Sequence, residues 1–184
     1  MSAERNGCVS SEARGSLPSA NVTVRPATRE DMPLVLEMIQ ELAEYEGEPE
    51  GPRLSVQDLL ADGFEAATPW FFGLIAELDG AVVGHALCNR AYSSWTRRAY
   101  YVEDLYVRPH ARRHGVGLSL LKELCRMAVR DGVHRVDWHV LESNALALGF
   151  YAKLGAKDMH QSESRAAMRL HRDCIEKLAN DHPL

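Results

Sequence analysis

The chain has few cysteines, and none of them are grouped. Cys8, Cys88, Cys125 and Cys174 are scattered through 184 residues, with no C-x-x-C pair and no zinc spacing. That pattern argues against a disulfide framework and against a structural zinc site, and it suits reduced thiols in a cytoplasmic protein. Long apolar runs are also absent: nothing approaches the roughly 18 apolar residues that a membrane span requires. The first twenty residues hold no secretory h-region, and Glu4 and Glu12 are residues a transit peptide avoids. Residues 1–20 therefore read as a disordered tail, and 21–184 as one folded domain. Positive charge is in deficit, with 21 Lys and Arg against 26 Asp and Glu and a net charge of −5. A nucleic-acid binder needs a basic face, so this balance argues against one. It suits a cationic partner, although a charge of this size also serves solubility.

What is present is an ordered alternation of strand and helix signals. Val22-Thr23-Val24-Arg25 alternates like a strand. Thr28 with Asp31 forms a capping box, Pro33 falls in the first turn, and Val35, Met38, Ile39 and Leu42 follow at helical spacing. Ser55 with Asp58 caps a second, short helix that Asp62-Gly63 is expected to end. Strands are expected from Trp70 to Leu78 and from Ala81 to Leu87, joined by Asp79-Gly80 as a tight hairpin turn. A third runs from about Arg98 to Val107 and stops at Arg108-Pro109. Leu120, Leu121, Leu124, Cys125, Ala128 and Val129 trace one helical face up to Asp131-Gly132. Val133–Leu141 reads as a strand, Asn144 as the cap of a helix ending at Gly155, and Ala167–Leu170 as a last strand. This order predicts an α/β fold with a mixed central sheet and helices on both faces.

The segment with the most chemistry is Val107-Arg108-Pro109-His110-Ala111-Arg112-Arg113-His114-Gly115-Val116-Gly117, between a strand and an amphipathic helix. Gly115 and Gly117 let backbone turn tightly and approach a ligand. The helix they open offers unpaired N–H groups and a positive dipole end, which suits a diphosphate, and Arg112 and Arg113 add charge. No Gly-Lys-Ser/Thr follows and a third glycine is missing, so neither a Walker A loop nor a Rossmann fingerprint is present. His110 and His114 have the i, i+4 spacing of a metal pair, but no third ligand accompanies them, and no metal is expected.

Arg112-Arg113-His114-Gly115-Val116-Gly117 resembles the R/Q-x-x-G-x-G/A signature of the GNAT acetyltransferases, whose loop binds the pyrophosphate of coenzyme A. Further segments resemble the diamine N-acetyltransferases of that superfamily, which include spermidine/spermine and thialysine enzymes. These are Arg25-Pro26-Ala27-Thr28, Glu41-Leu42-Ala43-Glu44-Tyr45-Glu46, Asp62-Gly63-Phe64 and Tyr101-Val102-Glu103-Asp104-Leu105-Tyr106-Val107. Glu142-Ser143-Asn144 and Phe150-Tyr151-Ala152-Lys153-Leu154-Gly155-Ala156 continue the likeness. The resemblance implies a GNAT fold, acetyl-CoA as co-substrate, a homodimer, and acetyl transfer to a small di- or polyamine or a basic amino acid. It implies that Leu105, Tyr106 and Val107 hold the pantetheine arm by backbone hydrogen bonds. Arg112, Arg113, His114, Gly115, Val116, Gly117 and Leu118 would wrap the pyrophosphate, and Asn144 would meet the coenzyme from another side. Tyr151 matches the family's general acid. Tyr45, Glu46, Trp95, Glu103 and Glu163 match residues that bind the acceptor. The rival readings are a protein or peptide N-acetyltransferase and a non-catalytic acetyl-CoA-binding module.

Elementary chemistry makes the implied roles coherent. An alkyl amine with a pKa near 10 is only about one part in a thousand neutral at pH 7, so exposing its lone pair costs roughly 4–5 kcal/mol. A carboxylate such as Glu103 can bind the ammonium and take its proton, and a phenol can protonate a departing thiolate. No cysteine sits in a nucleophile motif, which favours direct transfer over an acyl-enzyme. Each residue also has a structural reading: Tyr151 as core packing, Glu103-Asp104 as an ion pair, Trp95 and His139 as wall residues, Glu46 as part of a solvated helix face. One departure bears on the substrate. Where the polyamine enzymes carry Glu-Gly-Trp, this chain has Glu163-Ser164-Arg165. A guanidinium there disfavours multiply charged spermine and can pair with the carboxylate of an amino acid.

Overall fold

The computed structural model describes residues 21–163 and 168–179. They group into two units, one running to His139 and the other from Val140. In the first unit a five-stranded sheet runs in the order β1-β2-β3-β4-β5. Its strands are β1 (Val22–Pro26), β2 (Phe72–Leu78), β3 (Ala81–Ser93), β4 (Arg97–Val107) and β5 (Arg135–Trp138). The first four form an antiparallel meander, and β5 joins β4 in parallel. Parallel neighbours need a crossover, and helix α3 (Val116–Arg130) supplies it. Between β1 and β2 lie α1 (Met32–Glu46) and α2 (Val56–Leu60), the latter continuing into a π-helical turn over Ala61–Glu65.

Leu74, Ile75 and Ala76 are consecutive and fully buried. Successive strand residues face opposite ways, so β2 must be covered on both sides. Met32, Val35 and Ile39 of α1 and Leu59 of α2 pack with Ile75 and Leu87 on one side. Helix α3 also packs on β2 and, through Val116, Leu120, Leu124 and Ala128 at four-residue spacing, supplies the other cover.

Both expected capping boxes form. At the first, Arg25 donates to both oxygens of Asp31 at 2.7 and 2.8 Å, and the Thr28 N–H donates at 2.7 Å. These bonds, the guanidinium's first, hold the Asp31 carboxyl down at about 2. A carboxyl depressed in the folded state stabilises the fold above its unfolded value near 4, and that stability drains away as pH falls towards 2. Asp31→Asn is therefore expected to lose about 2 kcal/mol at pH 7 and to flatten the acid limb between about pH 4 and 2. Urea melts across that range check it; superimposable midpoints at pH 7 would contradict it.

Several elements depart from the sequence expectation. β3 continues to Ser93 rather than stopping at Leu87, because its far half pairs with the start of β4. β5 covers only Arg135–Trp138 of the expected Val133–Leu141, since it pairs with Ala99–Val102 alone. Asp62-Gly63 does not end α2; the chain widens into the π-helical turn instead. Cys125 and Val129 of α3 face solvent rather than the sheet. Residues 168–170 are not strand, and Ala167 lies outside the described residues. In the second unit α4 (Ala145–Lys153), α5 (Met159–Glu163) and α6 (Arg172–Ala179) are helical. Residues 1–20, which carry the expected tail and Cys8, and Ser164-Arg165 also lie outside the described residues.

Candidate active site

The sheet opens at β4. Leu87 pairs with Asp104 and the next residue, Cys88, pairs with Val102, so Glu103 is the extra residue of a β-bulge. A bulge bends its strand and re-aims the side chain it carries. Here it falls where β5 ends its pairing, at Val102. From Glu103 to Val107 the edge of β4 is therefore covered by no described strand. Leu105, Tyr106 and Val107 lie on this open edge, where a ligand's amides can take the place of a neighbouring strand.

Past β4, the glycine loop enters α3. Gly115 is its N-cap in left-handed backbone at φ 82, and Arg113 also adopts positive φ, at 67. The first i→i+4 bond of the helix runs from the Ser119 N–H to the Gly115 carbonyl at 2.9 Å. The amides of Val116, Gly117 and Leu118 thus have no acceptor within the helix and form an anion site at its positive end. A Cβ built on Gly115 meets nothing within 4 Å, which leaves space for a ligand to approach. The open edge and the free amides both fit a pantetheine arm ending in a pyrophosphate. Arg112 is otherwise engaged: its Nε donates to the Val107 carbonyl at 2.9 Å, and its guanidinium lies 4.9 Å above the Tyr45 ring and 5.8 Å from that of Tyr106. It braces the loop against α1. The His114 ring bonds the Arg112 carbonyl at 2.9 Å through Nδ1.

On the α1 side of the sheet a pocket of about 340 Å³ is lined by Asp58, Asp62, Glu103 and Asp104, with Asn89 beside them. Ile39, Leu59, Phe71 and Leu87 supply apolar walls. Among the described residues, no lysine, arginine or histidine lines it. Glu46, at the end of α1, is raised above the ordinary carboxylate value by desolvation and then by the charge of Asp104. Crowded carboxylates of this kind favour a cation. Gly63 in the π-helical turn lets Phe71 approach, since a Cβ there would collide with the ring.

The sequence-derived residues distribute unevenly. Glu103 lines the pocket and Glu46 feels its field, whereas Tyr45, half-exposed, lies under Arg112 and does not line it. Trp95, 81% exposed, stands in the β3–β4 turn and is not among the residues that line the pocket. His139 bonds the Tyr101 hydroxyl through Nδ1. In the second unit Asn144 caps α4, its Oδ1 accepting the Ala147 N–H at 3.1 Å. Tyr151 lies in α4 with its ring 5.3 Å from that of Phe150, and burial pushes its phenol above the usual tyrosine value. Glu163 ends α5. No group of three or more metal-ligating side chains occurs among the described residues. Asp58 and Asp62 were not singled out by sequence as pocket residues. Their i, i+4 spacing was the available signal, hidden because each also reads as a helix-boundary residue.

A family model described as the acetyltransferase (GNAT) family matches residues 35–156, spanning both units. The thialysine N-epsilon-acetyltransferase of Sus scrofa is 34% identical over 168 residues, 87% of this chain and 98% of the relative. The spermidine/spermine N(1)-acetyltransferase-like protein 1 of Homo sapiens is 32% identical over 85% of this chain but only 23% of its own length. Among solved structures, an integron cassette protein from the mobile metagenome of V. cholerae superposes with a TM-score of 0.68 at 25% identity. That match covers 86% of this chain and 97% of the other.

Proposed function

The chain belongs to the GNAT acetyltransferase family and is an acetyl-CoA-dependent amine N-acetyltransferase, and we propose that its acceptor is the terminal amine of a small basic amino acid of the thialysine type, with short diamines next in preference. The observation that carries this reading is the pocket of about 340 Å³ lined, among the described residues, by four carboxylates and no basic side chain. Its size suits one short cationic chain, not a folded protein surface. The thialysine relative matches almost end to end, which supports the amino-acid class. Arg165, standing where polyamine enzymes carry tryptophan, supports it further by offering a partner for a substrate carboxylate.

When bound, acetyl-CoA supplies an activated thioester. Leu105, Tyr106 and Val107 hold its pantetheine arm along the open edge of β4. The amides from Arg113 to Leu118 hold the pyrophosphate, and Asn144 adds a contact. Glu103, re-aimed by the bulge, binds the acceptor ammonium and takes its proton, meeting the roughly 4–5 kcal/mol cost of exposing the lone pair at pH 7. Tyr151 delivers a proton to the departing sulfur, and Glu46 with Glu163 holds the substrate's charge. We place the enzyme in the cytoplasm as a homodimer.

CoA release measured over thialysine, ornithine, lysine, putrescine, spermidine, spermine, an aminoglycoside and an N-terminal peptide tests the assignment. The highest kcat/KM is expected on a basic amino acid, with spermine at least about 10-fold lower, a difference of roughly 1.4 kcal/mol. Highest turnover on spermine or on the peptide would contradict it.

A further inference from the structure

One buried titratable side chain has no part in this chemistry. His85, in the middle of β3, is fully buried, and neither ring nitrogen has a hydrogen-bond partner among the described residues. Buried imidazole nitrogens without partners are costly, so a function or a nearby acceptor is called for. In the antiparallel register His85 faces Tyr106 and Leu87 faces Asp104. His85 and Asp104 are therefore diagonal neighbours on one sheet face, within mutual reach of their side chains. The His85 Nε2 lies 4.0 Å from the Asp104 Oδ2, and Asp104 is itself only 21% exposed, at the pocket wall. That separation becomes a hydrogen bond with about 1 Å of closure.

Asp104 needs such a partner. Its charge acts on both Glu46 and Cys88, and it shares the pocket with Glu103, Asp58 and Asp62. The nearby arginines are committed elsewhere: Arg108 pairs with Glu37 and Glu41, and Arg112 braces the loop. The imidazole is the donor the structure places beside Asp104 on the same sheet face, outside the pocket lining. We propose that His85 is a positioning residue which holds the Asp104 carboxylate from within the sheet, fixing it towards the pocket so that the enzyme favours acceptors carrying a second positive charge. The proposal rests on the reading of this pocket as the acceptor site.

The test compares KM and kcat for a diamine and for a monoamine of equal length in wild type, Asp104→Asn, His85→Leu and His85→Gln, with folding followed by thermal melts. His85→Leu is expected to raise KM for the diamine roughly 10-fold, with kcat and the KM for acetyl-CoA little changed and a smaller effect on the monoamine. His85→Gln, whose amide can donate from a similar position, is expected to recover most of the loss. Should His85→Leu fail to fold, His85→Met takes its place, alone and in a double-mutant cycle with Asp104→Asn, because the inference requires the two effects to be non-additive. If Asp104→Asn leaves the diamine KM unchanged, the pocket assignment itself fails. If Asp104→Asn raises it while His85→Leu does not, or if Gln is as poor as Leu, His85 only fills the core and the inference is overturned.

Discussion

Tyr151→Phe is expected to lower kcat by roughly 10²–10⁴ while acetyl-CoA affinity changes little. Those are the marks of losing a group that acts in the transition state rather than in binding. Burial raises the phenol above the usual tyrosine value, near 10, so it keeps its proton across the neutral range. In wild type, activity should therefore climb with pH as more acceptor amine is deprotonated. A descending limb belonging to Tyr151 should appear only above the range of an ordinary tyrosine. In Tyr151→Phe that limb should be missing from whatever activity remains. Near-normal turnover in the variant, with the transfer step shown to be rate-limiting, would falsify the assignment.

Gly115→Asp is expected to weaken acetyl-CoA binding by at least about 100-fold. The new carboxylate would stand at the positive end of α3, where backbone amides meet phosphates. The position at φ 82 adds strain for a residue with a Cβ. Space does not limit the change, since nothing lies within 4 Å of the added atom, so the protein should remain folded. Gly115→Asn separates the two causes. Asparagine tolerates left-handed backbone and brings no charge, so most of the affinity should return. Calorimetry on both variants reads the result, and an unchanged affinity in folded Gly115→Asp would assign the loop to some other task.

The parts of this molecule that depend on local chemistry were legible in the sequence. Thr28 with Asp31 and Ser55 with Asp58 cap helices as their spacing demands. Asp79-Gly80 turns the hairpin with both residues at positive φ, and Gly115 opens α3. What the sequence did not disclose depends on register between distant strands. The bulge at Glu103 exists only because β3 and β4 slip by one residue at Leu87/Cys88. The brevity of β5 reflects the same divergence, not any change in its own composition. The far half of β3, with Asn89, Arg90 and Tyr92, is too polar to announce itself as strand, yet it pairs fully with β4. Asp58 and Asp62 read as helix punctuation and act also as pocket walls. His85 reads as one polar residue in an apolar strand, and only the register brings it near Asp104.

The central claim is direct acetyl transfer to a small amine, and a single-turnover experiment with isotope-labelled acetyl-CoA and thialysine tests it most directly. Mass spectrometry at quench times across the turnover would follow both the amine and the intact protein. Label is expected on the terminal amine in step with CoA release, with the protein mass unchanged throughout. Labelled protein that forms and then decays, or coenzyme bound without any labelled amine, would contradict it.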